Sequence, residues 1–235
     1  SYRYRIYSRE VVSQQPYFIG YGKTAASNVY SRKPYRFRTL DRTAVSARFA
    51  MVNDIHDNSE LLEKLISQQD FSKLDFVLFN GDMVDNMHSE KQVFDGFLSR
   101  AVKMFASELP FFYARGNHET RGLFAGEYID YFPTPTGQPY YSFRQGPVFF
   151  IMLDGGEDKP DSDIEYHGLA DFDTYRAQQA SWLRQTLHSE EYRDAPVRIA
   201  VLHVPPVEPT WHGQIPGGKL FIPLLNEAGI DLMLS

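Results

Sequence analysis

The sequence contains no cysteine, which excludes disulfides, thiolate metal sites and cysteine nucleophiles. Any bound metal must be held by oxygen and imidazole nitrogen, a donor set that favours hard or borderline ions over a structural zinc cluster. The same absence leaves the redox compartment open. A long apolar segment is also missing. The longest run, Pro147-Val148-Phe149-Phe150-Ile151-Met152-Leu153, is strand-sized, well short of the roughly 18 residues that cross a bilayer. There is no basic excess. A net charge of −6 argues against a nucleic-acid-binding surface. The stretch Pro216-Gly217-Gly218-Lys219 lacks the spacing of a phosphate-cradling loop and reads as a turn. Internal repeats and low-complexity tracts are absent. The chain starts at Ser1 with neither an initiator Met nor a signal-type apolar segment, so it reads as a mature form or an excised piece.

What is present suffices for a packed core: 43% of residues are hydrophobic and 15% aromatic. Two textures alternate along the chain, suggesting one sizeable domain with part of another. Residues 1 to 43 carry Tyr2-Arg3-Tyr4-Arg5-Ile6-Tyr7 and Pro34-Tyr35-Arg36-Phe37-Arg38-Thr39-Leu40, both with the period of a half-buried strand. A polar stretch with Gly20 and Gly22 between them reads as a long loop or hairpin. Two strands cannot fold alone, so this segment is read as the end of an antiparallel sandwich or a flap on the main domain.

From residue 44 to 235 strands alternate with helical segments, the pattern of an α/β arrangement. Asp57 and Glu60 form a candidate capping box ahead of Leu61, Leu62, Leu65 and Ile66. Val93, Phe94, Phe97, Leu98, Val102 and Phe105 have helical spacing and read as core. Tyr140–Phe143 and Val148–Leu153 predict a hairpin, followed by an acidic loop. Then come a helix around Phe172–Leu187 with Tyr175, Trp182, Leu183 and Leu187 inward, a Pro-rich loop with Trp211-His212-Gly213, a short helix and a strand at Asp231–Leu234.

Four apolar runs end on potential metal ligands. Phe49–Val52 leads into Asn53-Asp54-Ile55-His56, Phe76–Phe79 into Asn80-Gly81-Asp82, Phe111–Ala114 into Arg115-Gly116-Asn117-His118-Glu119, and Ile199–Leu202 into His203. In open α/β sheets the crevice beyond the carboxyl ends of the strands is where ligands bind. Asp54 and His56 could bend towards one ion. Asp82 has enough lone pairs to bridge two, and Asn117 with His203 would supply the second. His118 diverges from its neighbour Asn117 and suits proton transfer to a leaving group. Each residue also has a plainer reading: Asp82 capping a turn, Asn117 as a turn residue, His203 as a core histidine. Four such runs in one chain favour the metal site.

The ordered set Asp54-x-His56, Gly81-Asp82-x-x-Asp85, Gly116-Asn117-His118-Glu119 and His203 resembles the motifs of the calcineurin-like metallophosphoesterases. The resemblance implies a four-layer α/β-sandwich that hydrolyses phosphate esters with a metal-activated hydroxide. It implies two divalent or trivalent ions (Fe, Mn or Zn), one held by Asp54, His56 and bridging Asp82, the other by Asp82, Asn117 and His203. His118 would be the catalytic histidine and Asp85 its orienting partner. The first 43 residues are similar to the last strands of the fibronectin type III-like domain that precedes purple acid phosphatase catalytic domains, which suggests an exported protein.

Two departures from that branch stand out. Asp85 occupies the place of the purple acid phosphatases' metal-binding tyrosine, so an iron–tyrosinate centre is not expected. The family's Gly-His-x-His motif, which gives each metal a histidine, should begin where the sequence ends at Ser235. The fold is therefore expected to lack its C-terminal part. The second reading, of another class, is a non-catalytic fragment or binding module with an incomplete metal centre. His212 and Arg121 are candidate substrate contacts. His88, His167 and His188 read as surface residues. Asp154 and Glu157 end a strand without a matching motif, and Glu119 reads either as a cap of the turn or as a hydrogen-bond partner behind the ligands.

Overall fold

A computed structural model describes residues 1–26, 33–206 and 212–235. Two sheets lie face to face. In the first, β5 (Phe49–Val52), β6 (Phe76–Asn80) and β7 (Phe111–Ala114) run parallel in that order. In the second the order is β11 (Leu232–Leu234), β10 (Val197–Val201), β9 (Val148–Met152), β8 (Tyr141–Gln145). Only the β8–β9 hairpin there is antiparallel.

Side chains alternate across a strand, and here both sides are buried. Phe76 and Leu78 of β6 meet Phe150 and Met152 of β9 between the sheets. Val77 and Phe79 turn outward to the helices of the first half, while Phe149 and Ile151 do the same in the second. Burial on both faces explains why β6 and β9 read as unbroken apolar runs. Between the sheets, Phe112 stacks on Phe143 at 3.8 Å and Phe76 meets Phe150 edge-on at 5.4 Å. With helices outside each sheet, the result is the expected four-layer α/β-sandwich.

The helices differ in detail from the sequence reading. The first (Ser59–Ile66) is capped by Asn58, whose side chain accepts from the Leu61 N–H at 3.0 Å. Asp57 is left free for another task, and Leu65 lies 52% exposed. The next helical run alternates α-turns (Glu90–Val93, Ser99–Ala101) with wider π-turns (Phe94–Leu98, Val102–Ala106). A four-residue spacing drifts around an α-helix of about 3.6 residues per turn, and wider turns realign it. The buried stripe is accordingly Val93, Phe97, Ala101 and Phe105, with Phe94 and Val102 partly in solvent.

The helix Phe172–Leu187 buries Leu183 as expected, and also Arg176 and Gln179. Arg176 bonds the Gly155 carbonyl at 2.8 Å, and Gln179 pairs with both main-chain groups of Asp154 at 2.8 and 2.6 Å. The last helix, Gln214–Ala228, takes in Pro216-Gly217-Gly218-Lys219 rather than leaving it as a turn. A proline in the first helical turn forfeits no intrahelical N–H bond.

At the N-terminus β1 (Tyr2–Tyr4) pairs antiparallel with β4 (Tyr35–Phe37). The stretch between them includes a hairpin of β2 (Tyr7–Gln15) and β3 (Phe18–Ala26). The remainder of that polar stretch, 27–32, and Trp211 lie outside the described residues. The β1–β4 ribbon touches the main body where the Tyr4 hydroxyl donates to the Ser107 carbonyl and Arg36 N–H donates to Glu108 at 2.9 Å.

One hydroxyl closes the outer edge of the first sheet. Tyr141 from β8 accepts from Tyr113 N–H at 3.1 Å and donates towards the Tyr113 carbonyl at 3.2 Å. Tyr141→Phe leaves a buried N–H without a partner, and urea denaturation should show a loss of about 1–3 kcal/mol.

Candidate metal centre

The loops after β5 and β6 are laced together by main-chain bonds. Asp54 N–H donates to Gly81 O (3.1 Å), His56 N–H to Asp82 O (3.0 Å) and Asp57 N–H to Met83 O (3.1 Å). Asp57 adds its carboxylate, which accepts from Asp85 N–H at 3.1 Å and from the Gln92 amide at 2.7 Å. Keeping this register forces the backbone into the left-handed region. Asp54 (φ 54°), His56 (φ 48°), Asp57 (φ 60°) and Asp82 (φ 52°) are four of the five non-glycine residues with positive φ among the described residues. Such conformations cost on the order of 1–3 kcal/mol each and gather at functional sites.

The β6 and β7 ends are joined by Glu119, which is 1% exposed. Its carboxylate accepts N–H bonds from Asp82 (2.9 Å), Met83 (2.8 Å) and Gly116 (2.9 Å) and the Tyr113 hydroxyl (2.6 Å). Burial raises its pKa. Glycine is required on both sides of Asp82. Gly81 has φ 82°, and a Cβ there would lie 2.5 Å from the His203 ring. A Cβ on Gly116 would lie 2.2 Å from Asp82 Oδ1.

Three imidazoles converge on the carboxylate held this way. Asp82 Oδ2 lies 3.1 Å from His203 Nε2, 3.8 Å from His118 Nε2 and 3.9 Å from His56 Nε2. Asp54 Oδ1 lies 3.6 Å from the same His56 nitrogen. Each ring is anchored through Nδ1: His203 on Asn80 O (2.6 Å), His118 on Asp85 O (2.7 Å) and His56 on Asp85 Oδ1 (2.7 Å). Carbonyl and carboxylate oxygens only accept, so Nδ1 carries a proton in every ring and Nε2 is the nitrogen that faces inward, where a metal would take the place of any proton it holds. That is the orientation a metal requires.

Burial tends to raise the Asp82 pKa, but the hydrogen bond and charge of His203, with the His118 N–H, hold it below the usual range. Burial tends to lower His203, yet Asp82 carries it up to about 9. Asn117 is buried immediately before His118, its carbonyl accepting from Thr120 N–H at 3.1 Å.

The other expected residues fall into place differently. Asp85 meets His118 through its main-chain carbonyl, while its carboxylate goes to His56. Arg121 sets one guanidinium edge against Glu157 and brings Nη1 to 3.0 Å from His118 Nε2. His212 faces Asp173 at 3.6 Å and makes no contact with the ligand cluster among the described residues. Asp154 is taken up by Arg115 (2.7 Å), Tyr175 (2.8 Å) and Gly156 N–H (2.7 Å). Glu157 is taken up by Arg121 and Tyr166, which hold its pKa down to about 2 against the opposing effect of burial. The bracing done by Asp57 and Gln92 was not foreseen, because Asp57 was read as a helix cap and Gln92 stands in no motif.

Residues 47–235 match the family model of the calcineurin-like phosphoesterases. The chain belongs to that family. Among solved structures it is similar to a purple acid phosphatase from yellow lupin (Lupinus luteus) seeds, with a TM-score of 0.64 and 16% identity over 92% of this chain and 42% of that one. It is also similar to a dimetal phosphatase from Danio rerio, with a TM-score of 0.53 and 13% identity over 78% of each chain. At these identities the likeness is one of fold. The chain thus spans less than half the length of the lupin protein. No curated protein matches it.

The donor set suits the metals that the family implies: carboxylate oxygen and imidazole nitrogen, with every ring anchored at Nδ1 and turning Nε2 inward. Glu119→Gln replaces a carboxylate with a single carbonyl and turns an NH2 towards N–H donors. It should cost at least about 2 kcal/mol in thermal unfolding and weaken metal uptake measured by elemental analysis.

Proposed function

We propose that this chain carries a dinuclear centre for hydrolysis of phosphate esters. The observation that carries the reading is the convergence of three imidazole Nε2 atoms on one buried carboxylate oxygen. Asp54, His56 and Asp82 would hold one ion, and Asp82, Asn117 and His203 the other. Ions bound there supply water activation and neutralisation of charge at phosphorus.

The remaining residues handle protons and the substrate. His118 is held by Asp85 O at Nδ1, so Nε2 is the edge that can carry a proton to the leaving oxygen. Arg121 Nη1 sits against that edge and must move aside first. A phosphate oxygen gives the guanidinium an alternative partner, since planar forks of this kind suit phosphate. The substrate is thus a phosphate ester with a free oxygen for Arg121 to bind. The resemblance of the first 43 residues to a fibronectin type III-like domain joined to a phosphatase supports an exported protein.

Generic aryl phosphates and phosphodiesters, with Mn, Fe or Zn supplied, test the reading. Asp82→Ala should lose bound metal and turnover together. His118→Ala should keep its metal while kcat falls by about 10²–10⁴, and Arg121→Ala should chiefly raise KM. Equal metal loss in the Asp82 and His118 variants would contradict these roles.

A further inference from the structure

We propose that the Asp85 carboxylate is a positioning residue for His56, and through it for the ion at Asp54–His56–Asp82, rather than the partner of His118. The inference rests on the dinuclear reading above and divides Asp85 into two tasks. Its carboxylate lies 2.7 Å from His56 Nδ1, and its carbonyl lies 2.7 Å from His118 Nδ1. Removing the side chain leaves the His118 anchor intact and strips His56 of its own.

The aim of the carboxylate is set by main-chain geometry. Asp85 N–H is held by Asp57 Oδ2 at 3.1 Å, and the same oxygen takes the Gln92 amide at 2.7 Å. Asp57 in turn bonds Met83 O through its own N–H at 3.1 Å. Asp57 is thus tied to both ends of Met83-Val84-Asp85, the segment that leads from bridging Asp82 to the carboxylate. On the far side of the ring, His56 Nε2 points between Asp54 Oδ1 at 3.6 Å and Asp82 Oδ2 at 3.9 Å. The arrangement is carboxylate, imidazole, metal: the acceptor fixes the tautomer and makes the inward nitrogen more basic. Partners of this kind are worth about 10–100-fold in metal affinity.

The two halves of the centre are then unequal. His203 and His118 are anchored by neutral carbonyls, and His56 by a charge. The Asp54–His56–Asp82 half has three carboxylates nearby, whereas the other half shares only Asp82. The Asp85 side chain is 58% exposed, so substitutions there leave the core undisturbed.

Calorimetric titration of metal-free protein with Mn2+ tests the proposal, with imidazole nitrogen spectra as a second readout. Asp85→Ala should weaken one of two Mn2+ sites by about 10–100-fold, and Asp85→Asn, which keeps a neutral acceptor, should weaken it less. The Mn2+ concentration for half-maximal turnover should rise in the same order. In the metal-free protein the His56 proton should sit on Nδ1 and move towards Nε2 in Asp85→Ala, with the His118 signals unmoved. Wild-type Mn2+ affinity in Asp85→Ala, with turnover lowered as in His118→Ala, would return the carboxylate to His118 and overturn the proposal. Outright loss of one ion would also overturn it, by making Asp85 a ligand. Asp82→Ala separates the two levels: if it keeps both ions, the dinuclear reading itself fails, whatever Asp85 does.

Discussion

The geometry of the site depends on one buried carboxylate that touches no ligand of its own. Glu119 gathers N–H groups from the ends of two parallel strands and a hydroxyl from within one of them. An ionised group sealed from water is costly unless its lone pairs are filled, and here five donors fill them, Val84 N–H at 3.4 Å among them. The return is rigidity where it matters. The peptide carrying Asp82 is clamped at its N–H while Gly81 and Gly116 let neighbouring backbone come close. The Asp82 side chain is left between Gly116 and His203. Without that clamp the positive φ at Asp82 would relax towards an ordinary strand end, and the carboxylate would swing away from the imidazoles.

From that fixed centre the histidines follow one rule. Each spends Nδ1 on an acceptor supplied by a strand end or the loop after it, leaving Nε2 to face Asp82. The acceptors are Asn80 O, Asp85 O and Asp85 Oδ1. All three come from the β6 end or the five residues that follow it. A single segment, Asn80 to Asp85, therefore supplies the central carboxylate and orients every ring around it. The strain at Asp54, His56 and Asp57 is the local cost of threading a second loop along that segment, offset by three main-chain bonds between them.

Much of this was legible in the sequence, for a physical reason. Strands buried on both faces must be apolar throughout, so Phe76–Phe79 and Val148–Met152 announce themselves, and polar candidates such as Asp82 at a strand's carboxyl end stand out against them. Elements set by tertiary context were not legible. Asn58 rather than Asp57 caps the first helix because Asp57 is drawn to Asp85 and Gln92. The π-turns in the run from Glu90 break the period on which the helical reading relied. Arg176 and Gln179 lie inside because main-chain groups of the 154–157 loop need partners, and hydropathy assigns both to solvent. The direction of the Asp85 side chain was hidden for the same reason. A motif fixes the residue, while the choice between two nearby histidines is made by the backbone bond to Asp57.

The acidic residues beside the candidate centre are already matched by cations of the chain itself. Asp154 and Glu157 also end a strand and are buried, yet each is matched by an arginine, Arg115 and Arg121. Neither is left to compete for a cation. Glu157 does more than neutralise. By holding one edge of Arg121, it presents the other edge to His118 Nε2, beside the oxygen on which the imidazoles converge. On the proposed reading, a phosphate entering there would take the place of that imidazole lone pair as the partner of Arg121. The charge it would meet is positioned by a carboxylate it would not touch, just as the metals would meet a carboxylate positioned by Glu119.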